Sequence, residues 1–575
     1  MKLPIAALAG VVMLLAGATL EPSVDPDTGI RGLDPAFGCI TDSDCRSSLR
    51  LVGWPRKSHR AQATIEEISA GNGGRRLAGD RRFLTTISPN DDGVRDRAEI
   101  RFRLTGTATV KLVITRTATR ARVVDVQTRH LAAGPHTLYW APPATLPART
   151  YLTYLAVRDR AGWTIYGSRN GDPRLRQDTP VIRVLEVDAA FRGESYVPGD
   201  RARLRVFADA ERLTLQVFRC GPERTVTKRN DELNGIAVTE PRELDWRPGR
   251  RGPHTLGVRV GDWPTGVYFA KLTTLDGRVG FAPFIVRPER LGQHRIAVVM
   301  PTNTWQAYNL HDADGDGWGE TWYVHQAQRT VQLGRPHLAR GVPMAFRTYD
   351  LPFLHWLAWN EREVDYLAQG DVGRSSGPAL RRAYDLIVFP GHHEYVTRGE
   401  YDAVAGFRNV GGNLMFLSAN NFFWRVDRQG THLRRIAQWR TLGRPEAALI
   451  GVEYVANGRG RAPYTVRDVT STPWLFAGTG FSRGSSFGHY GIEVDRLAAS
   501  SPPETHVLAE IRDLFGRGRS AHMTYYEAKS GAKVFAAGAF TLAGSATRSH
   551  GAKLLDNLWR QMTRGYSRER RVRGA

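Results

Sequence analysis

The chain has 575 residues, roughly three to four times the usual length of one domain, so it must divide into several units with separate cores. Its 41% hydrophobic and 24% charged residues lie near soluble globular averages, which excludes a collagen-like chain, a disordered chain and a multi-span membrane protein. Lys plus Arg total 80 against 57 Asp plus Glu, a net charge of +23, but the basic residues are dispersed, so no nucleic-acid footprint is expected and acidic envelope polymers remain the charged partners to consider.

Residues 1–18 read as a secretory signal peptide: Lys2, an apolar run over 3–15, then Ala16-Gly17-Ala18 as a cleavage site. The expected product is secreted or held in the cell envelope and keeps no stable membrane span; an uncleaved anchor is the alternative. Residues 19–82 look largely irregular, with Cys39 and Cys45 spaced to close a short disulfide in an oxidising compartment. Cys220 is left over and reads as a small buried residue in a strand.

Period-two alternation begins at Phe83 and recurs in Ala98-Glu99-Ile100-Arg101-Phe102-Arg103-Leu104, in 110–114 and in 150–157, which predicts a β-sandwich over 83–187. A second sandwich is expected over 188–290 from 202–207, 213–218 and 266–272. At Arg295 the pattern changes to continuous apolar strands (296–300, 384–390, 413–418) alternating with helical stretches (323–333, 401–409). This predicts an α/β unit over 294–565 with a mostly parallel sheet, followed by a basic tail at 566–575.

In such sheets ligands bind beyond the carboxyl ends of the strands, and three ends carry polar clusters. The first, Pro301-Thr302-Asn303-Thr304-Trp305-Gln306-Ala307-Tyr308-Asn309, offers Asn303, Trp305, Tyr308 and Asn309 as substrate-binding groups, or as a loop whose amides cap its own turns. The second, Gly391-His392-His393-Glu394-Tyr395, sets imidazole, carboxylate and phenol together for acid/base work or metal ligation. The third contributes Asn420 and Asn421. It contains neither Cys nor Gly-x-Ser-x-Gly, which excludes a thiol nucleophile and disfavours a serine elbow. Separately, Asp312, Asp314 and Asp316 with Gly317 form the first half of an EF-hand-type calcium loop. Its twelfth position is Tyr323, so Glu320 must supply the remaining carboxylate; a solvated acidic loop is the alternative.

These strings carry two resemblances. The Ser88-Pro89-Asn90-Asp91-Asp92-Gly93 opening, the Gly-x-His-x-Leu-x-Trp strand at 134–140 and the Arg-Thr-Tyr-x-x-x-Leu-x-Val strand resemble the immunoglobulin-like domain of flagellar hook-capping proteins, which implies a spacer. The 301–309 strand end, the Gly-His-His-Glu-Tyr loop, the run from Gly411 to Arg425 and Gly491-Ile492-Glu493-Val494-Asp495 resemble the C-terminal domain of the N,N-dimethylformamidase large subunit. That resemblance implies a glutamine-amidotransferase-like fold, hydrolysis of a small amide, and a mononuclear iron held by two tyrosines and a glutamate. Tyr395 matches one tyrosine and Glu493 the glutamate, while the position expected for the second tyrosine holds Phe423. Two functions follow: a secreted hydrolase of an amide or related C–N bond, or a non-catalytic envelope-binding protein. A homo-oligomer is left open.

Overall fold

The structure is a computed structural model describing residues 61–116, 122–167, 178–323 and 328–563. The signal segment, Cys39, Cys45 and the basic tail lie outside the described residues. Among the described residues no helix is long and apolar enough to cross a membrane. The protein is built mainly of β-sheet.

The first unit packs the sheet Ile65–Gly71, Ala98–Leu104, Gly134–Trp140 against a six-stranded sheet centred on Ala108–Arg116 and Arg149–Arg158. Their inward side chains, including Ile100, Phe102, Trp140, Tyr151 and Leu155, share one core. The strand Ile65–Gly71 falls before Phe83, in the segment expected to be irregular, and pairs with Ala98–Leu104. A second pair of sheets, centred on Arg201–Ala208 and on Gly266–Thr274, closes over Leu204, Val206, Tyr268 and Phe284.

Both sandwiches use one corner device. The Tyr151 hydroxyl donates to the Pro147 carbonyl at 2.7 Å, and the Tyr268 hydroxyl to the Pro264 carbonyl at 2.6 Å. The pairing ties the entry of the most buried strand of each sandwich to the loop four residues upstream. Tyr268→Phe leaves that carbonyl without its donor and is expected to cost about 1–3 kcal/mol, read as a lower urea midpoint at unchanged slope.

The third unit holds a ten-stranded sheet. Asp365–Ala368, Ile296–Met300, Leu386–Phe389, Asn413–Phe416 and Lys533–Ala536 lie side by side and parallel. From Lys533–Ala536 onward the pairing is antiparallel, through Ala521–Glu527, His506–Ile511, Glu453–Val466, Ser486–Arg496 and Ala539–Phe540. The sheet is therefore mixed, which corrects the expectation of a mostly parallel one. The apolar strands buried on both faces drew attention first, whereas Glu453–Val466 exposes a run of its residues and carries no such signal. The described residues of the stretch 323–333 do not form the expected helix. They hold the strand Thr330–Gln332, whose β-branched residues pair with His432–Arg434.

Alternate residues of the parallel strands serve two cores. Ala297, Val299 and Phe389 pack under Val404 and Phe407 of the helix Arg398–Asn409. Val298, Met300 and Val388 face a larger core that runs on through Trp356 and Leu554 to Cys220, Phe269 and Ile285 of the second sandwich. Cys220 is buried and outside any disulfide, as expected, but it lies just past the strand Arg212–Arg219 and not within it.

Candidate functional site

The carboxyl ends of the parallel strands bring together Tyr308, His392, Glu394, Tyr395 and, from the antiparallel half, Glu493. The Tyr308 hydroxyl donates to Glu394 Oε2 at 2.5 Å, and Tyr395 hydrogen-bonds the same carboxyl group. His392 Nε2 lies 3.7 Å from Glu394 Oε2 and 3.1 Å from Glu493 Oε2. The His392 and Glu493 atoms are close but poorly aligned, and neither has a hydrogen-bond partner although both are buried. Aromatic rings wall the cluster: Tyr308 and Phe540 stand 5.4 and 4.7 Å from the His392 ring, and Trp322 4.8 Å from Tyr395.

Local backbone aims these groups. Ile492 has φ of 66°, an outlier for a β-branched residue, and the register of its strand against Ala539–Phe540 slips between Gly491 and Val494. The bulge turns Glu493 inward, and strain of this kind collects at functional sites. Asn420 and Phe422, at φ of 54° and 60°, form a second strained turn beyond Asn413–Phe416. This is a tight elbow that presents an amide, Asn420, rather than a nucleophile. Gly391 permits the close approach of Asp350, whose Oδ1 would lie 2.6 Å from an added Cβ.

Burial dominates the electrostatics. It pushes Glu394 up to about 7, with Glu493 adding repulsion and His392 and the two phenols opposing. Burial alone would lower His392, but the Glu493 and Glu394 carboxylates outweigh it and raise the imidazole. Burial followed by the Glu394 charge holds both Tyr308 and Tyr395 well above the usual phenol value.

Several expected residues serve the frame instead. Asn303 donates to the Tyr395 carbonyl at 3.1 Å and to Glu400, fixing the helix Arg398–Asn409. Trp305 donates to Asp350 at 3.2 Å, and Asn309 to the Pro336 carbonyl at 2.8 Å. His393 sits with its ring nitrogens 3.1 Å from the Gly391 carbonyl and 2.9 Å from the Val299 carbonyl. Burial lowers it to about 4, so it is neutral and donates through one nitrogen only. Asn421 donates to the Ser418 carbonyl and accepts from the His393 amide. Asn420 takes its place through its backbone N–H on Asp495, while its Oδ1 is unpartnered.

The sequence reading missed Asp350, Asp495, Tyr349, Tyr454 and Phe540. Asp495 was legible in principle, since it stands two residues from Glu493 on one strand, and Phe540 follows the carboxyl end of a fifth parallel strand. Asp350, Tyr349 and Tyr454 had no local signal.

Buried Asp350, Glu400 and Asp495 are raised mainly by desolvation, to about 7, about 7 and about 8. Each folded value lies above the unfolded one. Their contribution to stability is therefore full below about pH 4 and is lost as pH climbs to about 8. His337 and His393, lowered by burial to about 3 and about 4, oppose this on the acid side of their unfolded value. The melting temperature in chelator should thus rise steeply as pH falls from 8.5 to about 6.5 and more gently from there to about 4, where three raised carboxyls still outweigh two lowered imidazoles. A flat profile across that range would contradict the assignment.

The site donors fit a hard cation such as iron. Two phenols, a carboxylate and an imidazole converge, and buried His392 Nε2 and Glu493 Oε2 have only each other, at 3.1 Å and without hydrogen-bond geometry. Tyr308 brings a second phenol beside Tyr395, on the Glu394 carboxyl. Phe423 packs instead on Tyr454 at 5.1 Å and under Arg440. In the acidic loop, ligand oxygens of Asp312, Asp314 and Glu320 lie within 4.8 Å of one another. Asp316 is outside that group, and its Oδ1 accepts from the Trp318 amide at 2.8 Å. The loop also docks on the first sandwich, with Trp318 among Leu84, Leu152 and Val181 and Arg81 donating to the Asp314 and Gly315 carbonyls.

These features define a protein of paired β-sandwiches and a mixed sheet with a buried carboxylate, imidazole and phenol cluster at its strand ends. The family described as N,N-dimethylformamidase beta subunit-like, C-terminal, matches residues 223–552, more than half of the chain, and the chain belongs to it. The match begins inside the second sandwich, consistent with the core that this sandwich shares with the third unit. The N,N-dimethylformamidase beta subunit of an Alcaligenes species is 25% identical over 242 residues, 35% of this chain and 32% of that protein. Its counterpart in Paracoccus aminophilus is 28% identical over 120 residues, 21% and 16%. The matched part of the chain thus spans a third or less of these relatives' length. The solved adhesin InvE of Yersinia pseudotuberculosis aligns over 41% of this chain and 62% of its own at 12% identity, with a TM-score of 0.14.

Proposed function

We propose that this chain is an exported hydrolase of a small amide or related C–N bond, its sandwiches acting as immunoglobulin-like spacers and its third unit as an amidotransferase-like catalytic body. The observation that carries the reading is Glu394, held by two phenols and facing His392, which faces Glu493 in turn. Tyr308, Tyr395 and Glu493 would hold the iron that the resemblance implies. A hard cation there supplies Lewis acidity toward an amide carbonyl and toward water. Glu394, with its value near 7, takes the proton of the attacking water. His392, raised by its carboxylate neighbours, returns a proton to the departing amine nitrogen, so water is divided between acid and amine products. Phe540, Trp322 and Tyr308 keep bulk water from the reacting centre.

The test is amine release from formamide and N,N-dimethylformamide by full-length protein purified without chelator, with metal analysis of the same sample. Turnover with stoichiometric iron supports the reading. Neither turnover nor bound transition metal returns the protein to the non-catalytic envelope-binding alternative. We further propose calcium at Asp312, Asp314 and Glu320. Millimolar calcium should raise the melting temperature of wild type and not of Asp314→Ala, because an ion that binds only the folded state stabilises it by mass action. Identical shifts in the two proteins would leave the loop a docking element alone.

A further inference from the structure

The long strand Glu453–Val466 loses its regular pairing with Ser486–Arg496 directly across from the site. Asn457 stands opposite Glu493 and Arg461 opposite Gly491, so four steps along one strand face two along the other. Gly458-Arg459-Gly460 therefore bulges out opposite Ile492, the strained residue that precedes Glu493. The bulge is seated: an added Cβ would lie 2.5 Å from the Phe515 ring at Gly458 and 3.1 Å from it at Gly460. Only glycine lets the backbone rest on that ring, and the side chains left free to project are Arg459 and Arg461.

Both arginines are exposed, and neither is ion-paired among the described residues. Arg461 donates to the Tyr349 phenol oxygen, and the charge of Arg459 acts on the Tyr323 phenol. Those phenols adjoin the cluster on its outer side. The Tyr323 ring is 5.0 Å from Tyr308, and the Tyr349 ring is 5.0 Å from Phe540, which in turn contacts His392. The interior offers an anion no unpaired side-chain cation, since His392 is flanked by Glu394 and Glu493, while Arg459 and Arg461 have no carboxylate ion-paired to them among the described residues. A ligand with an anionic end and a neutral amide end has one favourable orientation in that field, with the anion outside and the amide within. The planar guanidinium fork is suited to a carboxylate.

We propose that Arg459 and Arg461 form a carboxylate-recognition arm at the mouth of the crevice, so that the amide hydrolysed here bears a carboxylate a few bonds from the scissile C–N bond. The hydrolytic part rests on the function proposed above; the anion binding does not.

The experiment compares formamide with N-formylglycine as substrates for wild type and for R459M/R461M, together with calorimetric binding of N-formylglycine to both proteins. The double substitution should lower kcat/KM for N-formylglycine by about 30-fold, a typical loss for charge-assisted contacts, and leave formamide within about twofold. If N-formylglycine turnover is unchanged, or falls in step with formamide turnover, the arm is refuted and the hydrolase reading stands. Binding that depends on the arginines without any turnover supports the arm and removes the hydrolase reading. Neither turnover nor arginine-dependent binding overturns both. Melting curves of the two proteins guard against misfolding, and the single variants R459M and R461M replace the double variant if it does not fold.

Discussion

Glu394→Gln is expected to lower kcat/KM for a small formamide by about 100-fold or more, the usual range for loss of a positioned base, while the melting temperature changes little. In the metal-free protein the amide keeps a carbonyl oxygen able to accept from Tyr308, so that hydrogen bond survives and only the proton acceptor is lost. The pH profile separates the base from a merely structural carboxyl. A base must be ionised to work, so wild-type activity should rise with pH on a limb set by this group, which burial and Glu493 hold above the ordinary carboxylate range. The variant should lack that limb. A variant that retains a tenth of the activity with the same alkaline rise would show that another group takes the proton.

Asp209→Ala should be the most destabilising single substitution outside the site. Asp209 is fully buried, and its carboxylate accepts from Arg95 Nε at 2.6 Å, Arg95 Nη2 at 2.8 Å and Arg250 Nε at 2.5 Å. Its carbonyl accepts from Arg278 at 2.7 Å, and Arg278 also donates to Ser88 at 2.8 Å. Arg95 and Ser88 belong to the first sandwich and Asp209 to the second, so one carboxylate joins the two units. Its removal strands Arg95 in a dry joint without a counter-charge, a loss worth about 3–5 kcal/mol. Urea unfolding followed by tryptophan fluorescence would measure it. A loss below about 1 kcal/mol would mean that water enters the joint and solvates the arginines.

Alternation and apolar runs were enough to find the sandwich strands, the parallel strands and the Gly-His-His-Glu-Tyr strand end, because those signals are local: each strand declares its buried face through its own spacing. Burial of both faces makes Ile296–Met300 read as a central strand without reference to any partner. The same local logic found Tyr308, His392, Glu394 and Tyr395, since each follows a strand that could be recognised. It failed for Asn303, Trp305, His393 and Asn421, which have equally suitable chemistry. For Asn303 and His393 the orientation is settled by distant neighbours, Glu400 and the Val299 carbonyl, which no local pattern reports.

By itself the sequence determined that this protein has β-rich units followed by a sheet with parallel strands, and that the third unit resembles dimethylformamidase, because periodicity and short motifs survive without knowledge of partners. Only the tertiary structure decided that the sheet is mixed, that Tyr308 joins Glu394 while Phe423 packs on Tyr454, that Glu493 is turned inward by a strained Ile492, and that the strand carrying Arg459 and Arg461 bulges opposite Ile492. The physical reason is common to all four. Strand direction, bulge position and the facing of side chains depend on pairing between segments distant in the chain, and the free energy of that pairing is not written in the spacing of either segment alone.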